Sequence, residues 1–535
     1  MATIYSKYSG MEYIIGVDIG TSGAKAVALS PSGMPLHAAT TSYSPVLQMD
    51  SEKHELDPGV LMKAFIEVTA SVAKAMEGSQ LLAISFSSAM HGLMCVDQEG
   101  KALTNLLTWA DQRSIPQARA LMAEGKASMI HQKGGAPVHP MLPLCKILWI
   151  KENDPQLFAS TAKFIGFKEY LFHQLLGEYV IDHSLAAATG LFNLQQLDWD
   201  DEILDYAGIT RTRLSRVCSI KSIFKNPFSQ VAGLLGINKS TVFIIGSSDG
   251  CLANIGSHCF NDTATCVTIG TSGAVRRIVS RKDYRFNPGN FAYTLFEDSL
   301  VIGGPTNNGG ILLKWYGQRF CNRPMIEPHD FAWFIEEAMK AREGAESLLF
   351  LPYLYGERAP VWDPAAGGAF IGVHNGHGQT HFMRAVLEST CFIINELIDN
   401  LDIARITGKG INEVNNVTPS EQGNTLPGAK IIANGGFTRS KQWVQLLANI
   451  TGRNISVRDN SDASSIGAAM LGYLSLGLVK SLENLKQEEG LASHFRPVEK
   501  HRELYSNLSR VYSGLYSQLA GSFHELYSLQ HSLKK

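Results

Sequence analysis

The chain has 535 residues, and at about 150 residues per domain this length allows roughly two to four domains. Its 47 Lys and Arg residues nearly balance 49 Asp and Glu residues, which argues against a generally basic nucleic-acid-binding protein. A hydrophobic content of 45% is too high for bulk disorder, and no apolar run is long enough to predict a membrane-spanning helix.

The start of the chain and its cysteines predict a cytoplasmic protein. Residues 1–10 lack the apolar core of a signal peptide and are predicted to form a tail. The eight cysteines contain no C-x-x-C pair, so they are interpreted as reduced thiols and not as a disulfide framework or a zinc site.

The first elements alternate between strand and helix. Residues 13–30 predict two strands joined by a Gly-Thr-Ser-Gly turn. Residues 57–76 predict a helix with Pro58 in its first turn, and residues 81–88 predict a buried strand. This alternation favours an α/β architecture.

An internal echo predicts two related halves. The sequence Ile-Gly-Thr-Ser-Gly-Ala at 19–24 recurs at 269–274, each time after a short run rich in β-branched residues. We therefore expect one domain over 11–256, with the first hairpin, and a second over 257–490, with the other. Residues 409–428 predict a surface loop, and the apolar spacing between 503 and 529 predicts an amphipathic C-terminal helix within 491–535.

The two hairpins are candidate phosphate sites. Their small residues offer backbone amides and hydroxyls without a steric barrier. Asp18 precedes the first turn and would repel phosphate, so it is predicted to bind Mg²⁺, through water. One copy alone would favour an ordinary turn with Asp18 as a local acceptor, whereas two copies favour facing phosphate hairpins. No P-loop or Rossmann glycine pattern is present.

Two further segments join a strand to a turn. Residues 431–437 end in Gly435-Gly436, where the absence of side chains would let an adenine ring approach, although a plain strand-to-helix turn explains the pattern equally well. Residues 243–248 lead to Asp249 at a predicted helix start. Asp249 is interpreted either as a helix cap or as the carboxylate that accepts the proton of a substrate hydroxyl in a kinase.

These motifs, in this order, resemble the FGGY family of carbohydrate kinases. The segments at 141–153, 356–360 and 368–388 match that family as well, and the resemblance extends from residue 13 to about 480. Segments at 85–91, 108–114, 164–170 and 303–310 are similar to gluconate kinases within the family. Pentulose kinases share part of this pattern.

The resemblance implies an actin-like ATPase fold, with two ribonuclease-H-like domains around a cleft that binds ATP and Mg²⁺. It implies Asp249 as the catalytic base and Asp18 with Asp249 as the metal-binding pair. The expected ATP-binding residues are Gly20, Thr21, Ser22, Gly23, Gly270, Thr271, Ser272, Gly273, Gly310, Lys314, Gly435, Gly436 and Ser440. The expected substrate-binding residues are Met90, His91, Asp111, Arg113, Met141, Asp249 and Gly250.

The predicted reaction is ATP-dependent phosphorylation of the terminal hydroxyl of D-gluconate. A sugar acid needs a nearby cation, for which Arg113, Lys168 and His91 are candidates, unless Arg113 only pairs with Asp111 and Lys168 only with Glu169. The alternatives are a xylulose or other pentulose kinase and, from another class, an ATP switch of the actin or Hsp70 type. The partner is a small molecule, with no nucleic acid and no membrane, and the resemblance is compatible with a homodimer.

Overall fold

The computed structural model describes residues 10–44, 53–407, 429–458, 462–485 and 493–532. The predicted loop at 409–428 and all of the predicted tail except Gly10 lie outside the described residues. No helix in the described ranges is long and apolar enough to cross a membrane.

The first large sheet is built from the N-terminal half of the chain. In chain order its strands are β1 (Glu12–Ile19), β2 (Gly23–Leu29), β3 (Pro35–Ser42), β4 (Gln80–Ser88), β5 (Ile223–Phe224) and β6 (Val242–Ser248). The spatial order is β5-β6-β4-β1-β2-β3. Strands β1, β2 and β3 pair antiparallel, whereas β4 pairs parallel with both β1 and β6.

The second large sheet follows in the other half. Its strands are β7 (Ala264–Ile269), β8 (Gly273–Ser280), β9 (Phe291–Thr294), β10 (Ser299–Thr306), β11 (Lys430–Asn434), β12 (Ile455–Val457) and β13 (Ser493–Phe495). The spatial order is β9-β10-β8-β7-β11-β12-β13. Strands β7, β8 and β10 pair antiparallel, and β11 pairs parallel with β7 and β12.

Both sheets therefore contain the same five-strand pattern. Three antiparallel strands, β3-β2-β1 or β10-β8-β7, continue into two that run parallel to the hairpin's first strand, β4-β6 or β11-β12. Each Gly-Thr-Ser-Gly turn joins the first two strands of its pattern. The repeated topology agrees with the duplication inferred from the echo, while the exact domain boundary at 256 stays a prediction.

Helices cover the sheets and fill the space between them. They are α1 (Pro58–Ala75), α2 (Ile115–Ala123), α3 (Ala127–Gly134), α4 (Pro143–Asn153), α5 (Pro155–Ser160), α6 (Phe167–Leu176), α7 (His183–Ala187), α8 (Asp201–Ala207), α9 (Ser229–Leu235), α10 (Asp249–Gly256), α11 (Ile311–Phe320), α12 (Pro328–Ala338), α13 (Gln379–Thr407), α14 (Lys441–Thr451), α15 (Ala463–Ser475) and α16 (Arg502–Ser532). The described residues also form short 3-10 helices and five two-stranded ribbons, namely Glu55–Leu56 with Leu106–Leu107, Met94–Val96 with Lys163–Ile165, Val180–Asp182 with Arg216–Cys218, Phe192–Asn193 with Asp198–Trp199, and Leu349–Pro352 with Gly368–Ile371.

Helix α1 begins where the sequence predicted. The carboxylate of Asp57 accepts a hydrogen bond from the backbone N–H of Gly59 at 2.7 Å, and Pro58 occupies the first turn, where its missing N–H costs nothing. Leu61, Phe65 and Val68 form part of the buried face of this helix against the first sheet.

Helix α15 crosses from the second half of the chain to the first sheet. It packs on β1 and α10, and its approach is so close that a Cβ on Gly467 would lie 2.0 Å from the carbonyl oxygen of Leu252. A Cβ on Gly16 of β1 would meet the carbonyl oxygen of Ser465 at 1.8 Å. The glycines permit a backbone-to-backbone contact that brings the two halves together behind the cleft.

The C-terminal helix α16 is amphipathic, as predicted. Tyr505 and Tyr512 are buried, and the hydroxyl of Tyr505 donates to Glu388 at 2.7 Å. Tyr516 and His524 both bond the carboxylate of Asp363, at 2.8 and 2.9 Å. The helix thus anchors the loop that contains Asp363.

Candidate active site

The two predicted phosphate hairpins are both tight turns with free hydroxyls. In the first, the N–H of Gly20 donates to the carbonyl of Gly23 at 3.0 Å, and Tyr43 braces the turn by donating from its hydroxyl to Gly20 at 2.6 Å. In the second, the N–H of Gly270 donates to Ser272 at 2.8 Å. Within the described ranges, no side-chain hydrogen bond involves the hydroxyls of Thr21, Ser22, Thr271 or Ser272.

A cavity of about 660 Å³ adjoins the second hairpin. It unites six of the predicted ATP-binding residues: Gly270, Thr271, Gly310, Lys314, Gly436 and Ser440. Its other walls are largely apolar, with Ile311, Ile335, Phe331 and Trp443 among them. A cavity of this size with one flat apolar wall and one amide-rich wall suits a nucleotide.

Backbone geometry explains the glycines of this cavity. Gly310 donates its N–H to the carbonyl of Gly270 at 2.8 Å, which ties the start of α11 to the hairpin. Gly435 has φ +97°, and a Cβ there would lie 2.6 Å from the carbonyl oxygen of Ile269. Next to Gly436 there is open space, as expected for a surface against which a ring could lie.

The residues after Gly436 lead from β11 into a helix. A 3-10 turn, Gly436–Arg439, comes first, and α14 begins at Lys441. The hydroxyl of Ser440 accepts from the N–H of Trp443 at 3.3 Å and caps that helix. Lys314 is exposed, and its side chain makes no hydrogen bond or ion pair with any described residue.

Asp249 lies in the first turn of α10, directly after β6. Its carboxylate accepts from the N–H of Gly250 at 2.6 Å. Burial raises the pKa of Asp249, and the nearby charge of Arg276 works against that rise. Because β6 ends at this point, the side chain lies at the carboxyl ends of the parallel strands of the first sheet, which is where α/β folds bind ligands.

Asp18 lies near Asp249, at the end of β1. In the register of the sheet Asp18 is opposite Ser87 of β4, whose hydroxyl donates to its carboxylate at 2.6 Å. Burial and then the charge of Asp249 raise the pKa of Asp18 to about 6. The two carboxylates thus repel each other, which a cation between them would relieve.

His91 is held as a neutral ring. Its φ is +64°, and its Nδ1–H donates to the carbonyl of Ala188 at 2.7 Å, while the hydroxyl of Tyr293 donates to Nε2 at 3.3 Å. Burial lowers the pKa of His91 to about 3. Tyr293 comes from β9 of the second sheet, so this hydrogen bond spans the two halves.

The remaining predicted sugar-binding residues divide into two groups. Met90 and Gly250 touch, because a Cβ on Gly250 would lie 3.1 Å from Cε of Met90. Met90 also lines a small cavity together with Gly20 and Thr21, which brings the first hairpin to the predicted sugar site. Met141, in contrast, is fully buried in the core and exposes no surface to the cleft.

Asp111 and Arg113 belong to an ion-pair network. The guanidinium of Arg113 bonds Asp111 at 2.8 Å and Glu55 at 2.6 Å, and it lies 5.1 Å from the ring centre of Trp149. Asp111 also accepts from the N–H of His54 at 3.0 Å. The fork of Arg113 is thus occupied by two carboxylates, which argues against its predicted role in binding a substrate carboxylate.

Lys168 has a different partner from the one expected. Its ammonium group bonds Asp182 at 2.7 Å and the carbonyls of Ile245 and Ser247 at 3.1 and 3.0 Å. The suggested pairing with Glu169 is wrong, because adjacent residues of a helix do not face each other. The ammonium group of Lys168 therefore stabilises the end of β6, and its three donors are used, so none is directed at the cleft.

Sequence reasoning missed a buried carboxylate that organises the second half of the site. Glu357 accepts from the hydroxyl of Thr306 at 2.6 Å, the N–H of Asn307 at 2.9 Å and the amide of Asn308 at 2.9 Å. It holds the end of β10 beside Gly310. The signal was present in the Gly-Glu-Arg-Ala-Pro segment at 356–360, but its partners lie about 50 residues away.

Comparison with known proteins establishes the family. The model of the N-terminal domain of FGGY carbohydrate kinases matches residues 13–256, and that of the C-terminal domain matches residues 265–476. The chain belongs to the FGGY family of carbohydrate kinases. This membership decides against the ATP-switch alternative, confirms the resemblance inferred from the motifs, and makes the chain a carbohydrate kinase of a family that uses ATP.

Individual relatives span nearly the whole chain. A gluconokinase of Bacillus subtilis is 36% identical, covering 95% of this chain and 98% of that protein, and a xylulose kinase of the same organism is 27% identical, covering 95% and 97%. Crystal structures of a gluconate kinase and a ligand-bound xylulose kinase from Lactobacillus acidophilus each superpose with a TM-score of 0.87 at 32% identity. They cover 97% and 96% of this chain and all of their own. The predicted two-domain actin-like fold is thereby confirmed.

Proposed function

We propose that this FGGY kinase transfers the γ-phosphoryl group of ATP to the terminal hydroxyl of D-gluconate and yields 6-phosphogluconate. The observation that carries the choice of substrate is the higher identity to gluconokinase, 36% against 27% for xylulose kinase, over the same 95% of the chain. The enclosed carboxylate of Asp249, beside Met90 and Gly250, supports the reaction type.

Asp249 is the proposed general base. Its carboxylate takes the proton of the terminal hydroxyl while that oxygen forms a bond to the γ-phosphorus and the bond to the β-phosphate oxygen breaks. Burial in the cleft raises the pKa of Asp249 and so makes it a better proton acceptor, while the charge of Arg276 helps it to remain ionised. General-base assistance of this kind contributes about 10²–10⁴-fold to the rate.

The two hairpins are the proposed phosphate-binding site. Among the described residues, the amides of Thr21, Ser22, Thr271 and Ser272 make no backbone hydrogen bond and are the proposed donors to phosphate, whereas those of Gly20 and Gly270 close their own turns. The apolar cavity beside Gly436 would take the adenine ring. Glu357 keeps Asn308 and the neighbouring Gly310 against the second hairpin. The chain's contribution is thus to hold the reacting groups in line and to exclude water.

The residues present fit Mg²⁺. Asp18 and Asp249 are two mutually repelling carboxylates, and Mg²⁺ is commonly held by one or two carboxylates together with phosphate and water. No cluster of three or more His, Cys, Asp or Glu side chains that could hold a metal occurs in the described ranges. Bound there, Mg²⁺ would offset negative charge on the phosphates.

A coupled assay of ADP release tests the substrate directly. With D-gluconate, D-xylulose, D-ribulose and glycerol at equal concentrations, we expect the largest kcat/KM for D-gluconate. Efficient turnover of D-xylulose without turnover of D-gluconate would overturn the proposal in favour of the pentulose alternative, which the equal TM-score of the xylulose kinase structure supports. We also propose a cytoplasmic location and retain a homodimer as the expected assembly.

A further inference from the structure

Arg276 is a cation of the second sheet that points towards the predicted sugar site. It lies in β8 and alternates with Arg277, whose guanidinium turns to the opposite face and pairs with Asp402 at 2.7 Å. Arg276 reaches the other way, and a Cβ placed on Gly250 would lie only 2.9 Å from its Nε. The guanidinium therefore lies against the residue that follows the proposed base.

Gly250 is a glycine because of what lies over it. The residue is inside α10, and it is not among the glycines with positive φ, so the backbone does not require it. A methyl group at this position would collide with Nε of Arg276 at 2.9 Å and with Cε of Met90 at 3.1 Å. Arg276 thus occupies the space that a side chain at position 250 would fill.

The charge of Arg276 has no hydrogen-bonded counterpart. Its Nε is buried without a hydrogen-bond partner, and no carboxylate in the described ranges lies within ion-pair distance of the guanidinium. The other candidate cations are already occupied, Arg113 by two carboxylates and Lys168 by Asp182. A buried donor of this kind is costly unless a ligand completes it.

We propose that Arg276 binds the carboxylate group of the sugar-acid substrate and that Gly250 provides the space it needs. The inference rests on the proposed function and names the residue that distinguishes a sugar acid from a neutral sugar. A planar guanidinium can bond both oxygens of a carboxylate at once, which gives geometric selectivity as well as attraction. A neutral sugar offers one hydroxyl oxygen in place of the two charged oxygens of a carboxylate, so its hydrogen bond to the guanidinium is weaker, which disfavours it.

Steady-state kinetics of Arg276→Gln test this role. We expect the KM for D-gluconate to rise roughly 10- to 100-fold, as for loss of a charge-assisted hydrogen bond, with the KM for ATP changed less than about threefold. The preference for D-gluconate over D-glucitol, which carries a hydroxymethyl group in place of the carboxylate, should fall by the same factor. Loss of the charge beside Asp249 should lower kcat equally with every sugar substrate, so the preference between substrates is the deciding readout. Arg276→Lys should recover part of the loss.

Two further variants separate the effect of the space at position 250 from the effect of the charge of Arg276. Gly250→Ala should raise the KM for D-gluconate, and combining it with Arg276→Gln should add little, because both changes remove one contact. Lys282→Gln, which removes an exposed positive charge just after β8, is the matched control and should behave as the wild type. Melting temperatures near that of the wild type would confirm that the variants are folded.

The possible outcomes are distinct. Absence of D-gluconate turnover by the wild-type enzyme would overturn the proposed function and, with it, this inference. Wild-type turnover together with an unchanged KM in Arg276→Gln would overturn the inference alone. An equal fall in kcat/KM with D-gluconate and D-glucitol, which leaves the preference between them unchanged, would also overturn it, because Arg276 would then act on Asp249 or on the transferred phosphoryl group and not on the carboxylate.

Discussion

Asp249 shows how one residue obtains its chemistry from its position. Asp249 follows the last residue of β6, so its carboxylate lies at the carboxyl end of that strand. The helix that begins with Asp249 supplies one N–H donor to the carboxylate, from Gly250 at 2.6 Å. Burial raises its pKa and so strengthens it as a base, while Arg276 opposes full protonation. The alternative role as a helix cap is wrong, because Ser248 is the N-cap residue of this helix and Asp249 is its first helical residue.

The substitution Asp249→Asn tests this role. We expect kcat for sugar phosphorylation to fall about 10²–10⁴-fold, because the amide cannot accept the proton, while ATP still binds in the cavity beside Gly436. Transfer rates and the nucleotide dissociation constant would be measured together. Asp205→Asn, at an exposed position of α8, is the control and should leave both unchanged. An active Asp249→Asn enzyme would remove this residue from the mechanism.

Single residues were predictable from sequence where the signal is local. Asp18, Asp249 and the hairpin glycines lie at the ends of short strands, so the sequence marked them as candidates, while the resemblance to the family supplied their expected roles. The partners of Arg113 and the role of Arg276 were not predictable, because Glu55 and Gly250 meet them only through tertiary folding. The consequence was a carboxylate-binding candidate, Arg113, whose guanidinium is already paired.

Among the secondary-structure elements, the segment repeated at 19–24 and 269–274 predicted the largest part of the fold. Two copies of one hairpin predicted two similar sheets, and the sheets share the same five-strand order. Helix α1 and the C-terminal helix α16 also began close to their predicted positions. The packing of α15 against the first sheet was not predictable. Its small residues indicate close packing but do not indicate which element it packs against.

Substitutions at two glycines test the packing of α15. Gly467→Ala would place a methyl group 2.0 Å from the carbonyl oxygen of Leu252, so we expect a loss of about 1–3 kcal/mol in the free energy of unfolding. Gly521→Ala in α16 meets no atom within 4 Å and should be neutral or stabilising by about 0.5–1 kcal/mol. Urea denaturation measures both, and equal stability of the two variants would contradict this packing.

In the whole molecule, the two halves meet through specific side-chain contacts across the cleft. The hydroxyl of Tyr293 bonds His91, the guanidinium of Arg358 lies 5.1 Å from the ring centre of Trp109, and Lys25 pairs with Asp462. His131 donates from Nε2 to the carbonyl of Asn290 at 2.8 Å. These contacts between distant parts of the chain left no trace in the sequence pattern.

The bond of His131 predicts a pH effect on stability. Burial lowers the pKa of His131 from 6.5 to about 4, so below pH 6.5 the unfolded chain binds a proton that the folded protein does not. The stability contributed by this neutral ring is complete above pH 6.5. It is lost by about 1.4 kcal/mol per pH unit as the pH falls towards 4.

The variant His131→Gln isolates this effect, because its amide can still donate to Asn290 and does not titrate. Urea denaturation at pH 7 and pH 5 should show the wild type losing about 2 kcal/mol more than the variant over this interval. Parallel losses in the two proteins would show that His131 titrates alike in both states.

Phosphorus NMR of a single competition reaction tests the proposed substrate. The protein is given Mg-ATP with D-gluconate and D-xylulose together at equal concentration, and the sugar phosphate formed is identified by adding authentic 6-phosphogluconate or xylulose 5-phosphate and observing with which of them its phosphorus signal coincides. We expect phosphate on C6 of D-gluconate, with one ADP released for each product. Xylulose phosphate alone, or ADP and inorganic phosphate without any sugar phosphate, would contradict it.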